Sequence, residues 1–156
     1  MTGNDPQTLY RERLWASAWL FVATALVIPA SLVVFLPINA AVGIALAALL
    51  YAGCVAALIA ASAVLTVTTS EFSAGRARLP LRFVGEVTAY REPDATIQRG
   101  PALDARAWPL IRGWVSPVVR VQLTDEKDPT PYWLVSTRHP EKLAQALSDA
   151  RRQSPS

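Results

Sequence analysis

The sequence predicts a membrane α+β protein: a two-helix transmembrane hairpin followed by a small antiparallel β, PH-like cytoplasmic domain with a C-terminal helix. Three observations carry this. Leu14 to Ser70 is a run of 57 residues without Asp, Glu, Lys or Arg. From about Val64 the apolar residues change from continuous to alternating, the period of a half-buried strand. After Pro140 a helical period returns, with Leu143, Leu147 and Ala150 on one stripe.

The chain-order reading starts with residues 1–13, expected as a flexible cytoplasmic N-terminus because Gly3, Asn4, Asp5 and Pro6 favour no ordered element. Arg11 and Arg13 then precede the apolar run, and Trp15 and Trp19 stand one helical turn apart at its start, the usual anchors at a headgroup boundary. A crossing needs about 20 apolar residues, so residues 14–63 hold two spans, about 14–36 and 40–63. Pro29 is expected to kink the first span without ending it. Pro37, Ile38 and Asn39 supply the turn. The second span is rich in Ala and carries Gly43, Gly53 and Ser62, which lets backbones approach and suits helix pairing or association between copies.

A cleaved signal peptide is a poor alternative for the first span. Its apolar core is longer than the 7–15 residues of a signal h-region, and a second apolar run follows it. Basic residues flank the hairpin at Arg11, Arg13, Arg76, Arg78 and Arg82 and are absent from its turn, so the expected location is the plasma (inner) membrane with both termini cytoplasmic.

Residues 64–152 form the expected PH-like domain, and residues 153–156 a disordered tail. Val64 to Thr69 is β-branched and reads as a strand directly after the membrane. Phe72 to Leu79 reads as its returning partner with a bulge at Gly75, and Arg82 to Tyr90 as a third strand of one meander. Residues 92–107 hold Pro93, Gly100 and Pro101 and read as a connection with one helical turn at 94–99. Trp108 to Trp114 suits a short strand or an aromatic loop. Val118 to Thr124 and Tyr132 to Thr137 read as a hairpin across a charged loop at 125–131. In the final helix Pro140 takes the first helical position, Glu141 the first turn, and Arg151 and Arg152 the last.

The runs GRARLPLRFVGEV from Gly75 to Val87, VRVQLTD from Val119 to Asp125 and PTPYWLVSTR from Pro129 to Arg138 resemble an uncharacterised actinobacterial family of two-span membrane proteins, domain of unknown function 3093. The resemblance extends from Tyr10 to Leu147 and implies the same architecture without implying a reaction. His139 departs from the other polar residues usual before the proline in that family.

Composition narrows the function classes. One cysteine, Cys54, and one histidine, His139, cannot assemble a structural zinc site, so no metal and no cofactor is expected. The glycines are scattered and form no phosphate loop, and the spans carry no acidic residue for ion or proton transfer. Net charge is only +3, with no basic stripe for nucleic acid. His139 beside Ser136, Thr137 and Glu141 reads as a cap and not as a triad, so no catalytic residue is assigned and the chain is expected not to be an enzyme.

The expected partners are membrane lipids and a membrane or cytoplasmic protein. Arg76, Arg78 and Arg82, just past the membrane exit, are the lipid-headgroup candidates. Trp108, Trp114, Tyr132 and Trp133 are the partner-surface candidates. A non-catalytic module for protein contact at the inner leaflet is the leading expectation, ahead of anionic-lipid binding and a lipid-modifying activity.

Overall fold

The computed structural model describes residues 7–153, so the expectations for residues 1–6 and 154–156 lie outside the described residues. The chain forms two compact units. One is Trp15–Ala63; the other joins the segment ending at Leu14 to the segment beginning at Val64.

The first unit is a helical hairpin of α1 (Ala18–Ala25), α2 (Val27–Phe35) and α3 (Ala40–Ala60). Two stretches, Ala18–Phe35 and Ala40–Ala60, are long and apolar enough to cross a membrane. At about 1.5 Å per residue they reach roughly 27 and 31 Å. The first begins four residues later than the expected start at Leu14 and is interrupted at Leu26. Pro29 explains the interruption: it has no amide to bond the Ala25 carbonyl, and the Leu26 amide instead donates to Ala23 at 3.1 Å, one residue short of the helical register. The ladder resumes from Ala30 to Leu26.

Asn39, expected as a turn residue, caps α3 by accepting hydrogen bonds from the amides of Ala41 at 3.0 Å and Val42 at 3.3 Å. Ser31, Gly43 and Ala47 are the buried residues of these helices. A methyl placed on Gly43 would stand 3.3 Å from the Cβ of Phe35, so glycine there permits the close approach of α2 and α3.

The second unit opens with β1 (Thr8–Arg13), which pairs antiparallel with β2 (Val64–Thr68). This corrects the flexible-terminus expectation for residues 8–13. It also corrects the order of parts: the helical hairpin does not precede the β domain but is inserted in the connection between two of its neighbouring strands. The alternation of Leu65 and Val67, both fully buried, shows why β2 holds its register.

β3 (Glu71–Ala74) and β4 (Ala77–Pro80) replace the single bulged strand expected over residues 72–79. Gly75 takes φ 63°, a left-handed conformation open to glycine at the first central position of a tight hairpin turn, and Ala74 pairs with Ala77 across it. The sheet order is β1-β2-β3-β4, all antiparallel.

After a 3₁₀ turn at Leu81–Phe83 the chain enters a second sheet, so the expected third strand does not extend the meander. Its strands are β5 (Val84–Tyr90), β6 (Trp108–Leu110), β7 (Val118–Leu123) and β8 (Tyr132–Ser136), in the order β5-β7-β8-β6. β6 runs parallel to β8, an exception to the expected antiparallel pattern. Helix α4 (Asp94–Arg99) lies between β5 and β6 in sequence, where the helical turn was expected.

All five residues of β8 are buried because both faces of this central strand are covered. Trp133 lies 6.0 Å from Phe72 of the first sheet, ring centre to ring centre. Tyr132 and Leu134, of opposite parity, pack with Val118 and Ala95 of α4 against Leu103, Ala107 and Ile111. Helix α5 (Pro140–Gln153) buries Pro140, Leu143, Leu147 and Ala150 and packs on strands of both sheets. It includes Gln153, which was expected in the tail.

Candidate functional site

The polar centre of the β module is Glu12, a residue that no sequence pattern singles out. Alternation along β1 turns Tyr10 and Glu12 to the same face. The Glu12 side chain is 8 % exposed. Its carboxylate accepts a hydrogen bond from the Tyr10 hydroxyl at 2.7 Å, another from the Thr137 hydroxyl, and a third from the Arg138 amide at 2.9 Å. His139 Nδ1 stands 3.8 Å away. Thr137 in turn accepts from the His139 amide at 3.1 Å.

This arrangement clasps the first strand to the junction of β8 and α5. Burial pushes the Tyr10 phenol up to about 12, and its hydrogen bond to the Glu12 carboxylate acts in the same direction. Thr137 is fully buried, so its hydroxyl is spent on the clasp and is closed to a substrate. His139 is half exposed, and its carbonyl accepts from the Leu143 amide at 3.0 Å, the first helical bond of α5. A second tie fixes the same helix: Arg91, at the end of β5, donates to both oxygens of Glu141 at 2.6 and 2.7 Å. That bond and the Arg91 charge hold the exposed Glu141 carboxyl down at about 2.

The three headgroup candidates do not form one cluster. Arg76 is exposed in the β3–β4 turn. Arg78 is exposed on β4 and pairs with Glu71 at 3.3 Å. Arg82 lies beyond Pro80, whose ladder partner is Glu71, and the Leu81 amide donates to Ser70. It therefore sits at the opposite end of the first sheet from Arg76, with its guanidinium 4.7 Å from the centre of the Phe83 ring. A β3 of four residues separates the ends by roughly 13 Å.

Strand pairing puts a different basic residue beside Arg76. Arg13 pairs with Val64, and the Val64 carbonyl accepts from the Gly75 amide at 2.9 Å. Arg13, Val64 and Gly75 thus share one end of the first sheet. Neighbouring strands are about 4.8 Å apart, so Arg13 and the Arg76 turn stand roughly 10 Å from each other. Both covalent connections to the helical unit, after Leu14 and before Val64, leave from this end.

The aromatic candidates divide as well. Tyr132 and Trp133 are buried, a correction to their expected place on a partner surface: β8 is the covered strand. The Tyr132 hydroxyl accepts from the Asp104 amide at 2.8 Å and donates to the Ala102 carbonyl, while its ring lies 4.0 Å from the Arg120 guanidinium. It stitches the connection before β6 to the sheet. Trp108 is half buried and stacks on Trp133 with ring centres 4.4 Å apart. Trp114 is half buried, and its indole nitrogen has no hydrogen-bond partner among the described residues. Among the described residues no group of His, Cys, Asp and Glu is arranged to hold a metal ion.

Residues 9–147 match the family model described as protein of unknown function, DUF3093, and the chain belongs to that family. No curated protein and no solved structure matches the chain.

Proposed function

We propose that this member of the DUF3093 family is a two-span membrane protein that holds a non-catalytic, PH-like module on anionic headgroups at the cytoplasmic leaflet. One observation carries the reading: strand register groups Arg13 and the Arg76 turn at the sheet end from which both connections to the apolar helices leave. Ala60 ends α3 and Val64 begins β2, a separation of at most about 14 Å of extended chain. Each basic residue near an anionic surface contributes about 1 kcal/mol. Arg13 and Arg76 therefore replace the expected trio of Arg76, Arg78 and Arg82 as the headgroup contact.

Membrane insertion is supported by the outward apolar side chains of the hairpin. Val22, Val33, Ile38 and Leu49 are each at least 70 % exposed. So much apolar surface is what a bilayer accommodates and water does not. Trp15 and Trp19 are exposed at the start of the first span, as interfacial anchors are. The PH-like assignment is supported by two sheets with a C-terminal helix packed on strands of both. A non-catalytic role is supported by the clasp, in which the buried Thr137 hydroxyl is committed to the Glu12 carboxylate while the His139 ring stands 3.8 Å from it and half exposed.

Amide exchange of the full chain in nanodiscs tests the headgroup contact. Residues 74–78 should exchange at least severalfold more slowly in anionic than in zwitterionic lipid, and Arg76→Ala should remove the difference. Equal exchange in both lipids would refute the reading.

A further inference from the structure

The two sheets end in four edge strands, and three of them are blunted. β4 ends in Pro80, and β6 is three residues long with Pro109 at its centre. On β5 the Gly85 carbonyl is taken by the Arg151 guanidinium at 3.0 Å, and the ladder is shifted between Val84 and Val87. β1 differs. It is six residues long, contains no proline, and has no strand on its outer side among the described residues. Its pairing with β2 is regular from Tyr10 to Arg13, after a bulge between Thr8 and Tyr10.

A groove of about 360 Å³ runs between this strand and α5, lined by Leu9, Tyr10, Lys142, Gln145, Ala146 and Asp149. Leu9 is 38 % exposed, and among the described residues it and Ile97 of α4 are the large apolar side chains that the β module leaves exposed. The charges around the groove are unequal. Glu12 is engaged by the clasp, Glu141 by Arg91 and Asp149 by Arg152. Lys142 in the groove and Arg11 on β1 have no carboxylate partner among the described residues.

We infer that the β1–α5 groove is a docking site for an extended, acidic segment of a partner protein, added as a strand to the outer edge of β1. Main-chain hydrogen bonds along Tyr10 to Arg13 supply the pairing, Leu9 the apolar contact, and Lys142 and Arg11 the preference for carboxylates. The surface lies apart from the expected aromatic group. It rests on the module being an interaction module, and it is independent of the headgroup contact at Arg76.

The test is selection of random decapeptides from a display library on the full chain in nanodiscs, with empty nanodiscs as the counter-selection. The expected peptides are rich in Asp and Glu, with an apolar residue at alternate positions. Binding should fall at least tenfold in Leu9→Asp and in Lys142→Glu, both changes at exposed positions, and persist in Arg76→Ala. A selected peptide should also slow amide exchange within Leu9 to Arg13. Failure to enrich any peptide over empty nanodiscs would overturn the inference. So would peptides that bind the Leu9 and Lys142 variants as well as the parent, or that leave β1 exchange unchanged.

Discussion

In the helical hairpin the buried helix residues are the small Ser31, Gly43 and Ala47, and the absence of a side chain at Gly43 brings α3 close to Phe35 of α2. In the β module a buried carboxylate, two hydroxyls and a helix-start amide close the structure around a core of Leu, Val, Phe and Trp. On the proposed placement, with the hairpin in lipid and the β module in water, the contrast follows from the surroundings of each part. In lipid an apolar side chain gains nothing by turning inward, so close backbone approach has to hold helices together. In water the β module can rely on apolar burial, and it adds a polar clasp where two distant chain segments must meet. The two parts should therefore break independently and by different means.

The largest effect is expected from removing the strand that precedes the helices. A fragment of residues 64–153 lacks β1 and leaves the Thr137 hydroxyl and Arg138 amide without their carboxylate; it should not give a cooperative thermal transition by circular dichroism. Restoring residues 7–14 and replacing Trp15 to Ser62 by a short Gly-rich loop should recover one, because Arg13 and Val64 are ladder partners. Recovery by the fragment alone would show that β1 is dispensable.

Next in size is the clasp itself. Glu12→Ala removes the acceptor of three hydrogen bonds from a site that is 8 % exposed. A loss of about 3 kcal/mol is expected in denaturant unfolding of the β module, with the hairpin unaffected. The reciprocal change is Gly43→Val, which drives atoms against Phe35 and should weaken helix pairing by about 1–3 kcal/mol while sparing the β module. Gly53→Ala, where nothing lies within 4 Å of the added methyl, is the neutral control.

The smallest effects concern pH. Glu141 is held below its ordinary 4.5 at about 2, so its contribution is present above pH 4.5 and is lost as pH falls toward 2. Tyr10 is raised from 10.0 to about 12, so its contribution is present below pH 10 and is lost as pH rises toward 12. Acid melts of Glu141→Gln and alkaline melts of Tyr10→Phe should show the corresponding part of each pH dependence removed.

Much of the architecture is legible in the sequence because it depends on local pattern. The charge-free run gives the hairpin, alternation gives β2 and β7, the charged loop at 125–131 gives β8 as the partner of β7, and the Leu143, Leu147 and Ala150 stripe gives α5. What was missed depends on partners far apart in sequence. Thr8 to Arg13 carries no strand signal strong enough to announce a mate that pairs Arg13 with Val64 and Thr8 with Thr68, beyond an apolar insertion. Glu12 and Thr137 are separated by 125 positions, and nothing near either one marks the other. The basic site was misread for a similar reason: Arg76, Arg78 and Arg82 are close in sequence, yet β4 carries the first and last to opposite ends of a sheet. Tyr132 and Trp133 were read as one surface although consecutive strand residues face opposite ways, and both faces of β8 are covered.

Depth measured at the two ends of the first sheet tests the central claim most directly. Spin labels at Ala77→Cys, which keeps Arg76 and lies at the same sheet end, and at Ser70→Cys, each in a Cys54→Ala background in anionic nanodiscs, report accessibility to oxygen and to a water-soluble nickel complex. Headgroup-level depth is expected at position 77 and bulk-water accessibility at position 70. Equal water accessibility at both positions, or a deeper label at position 70, would contradict it.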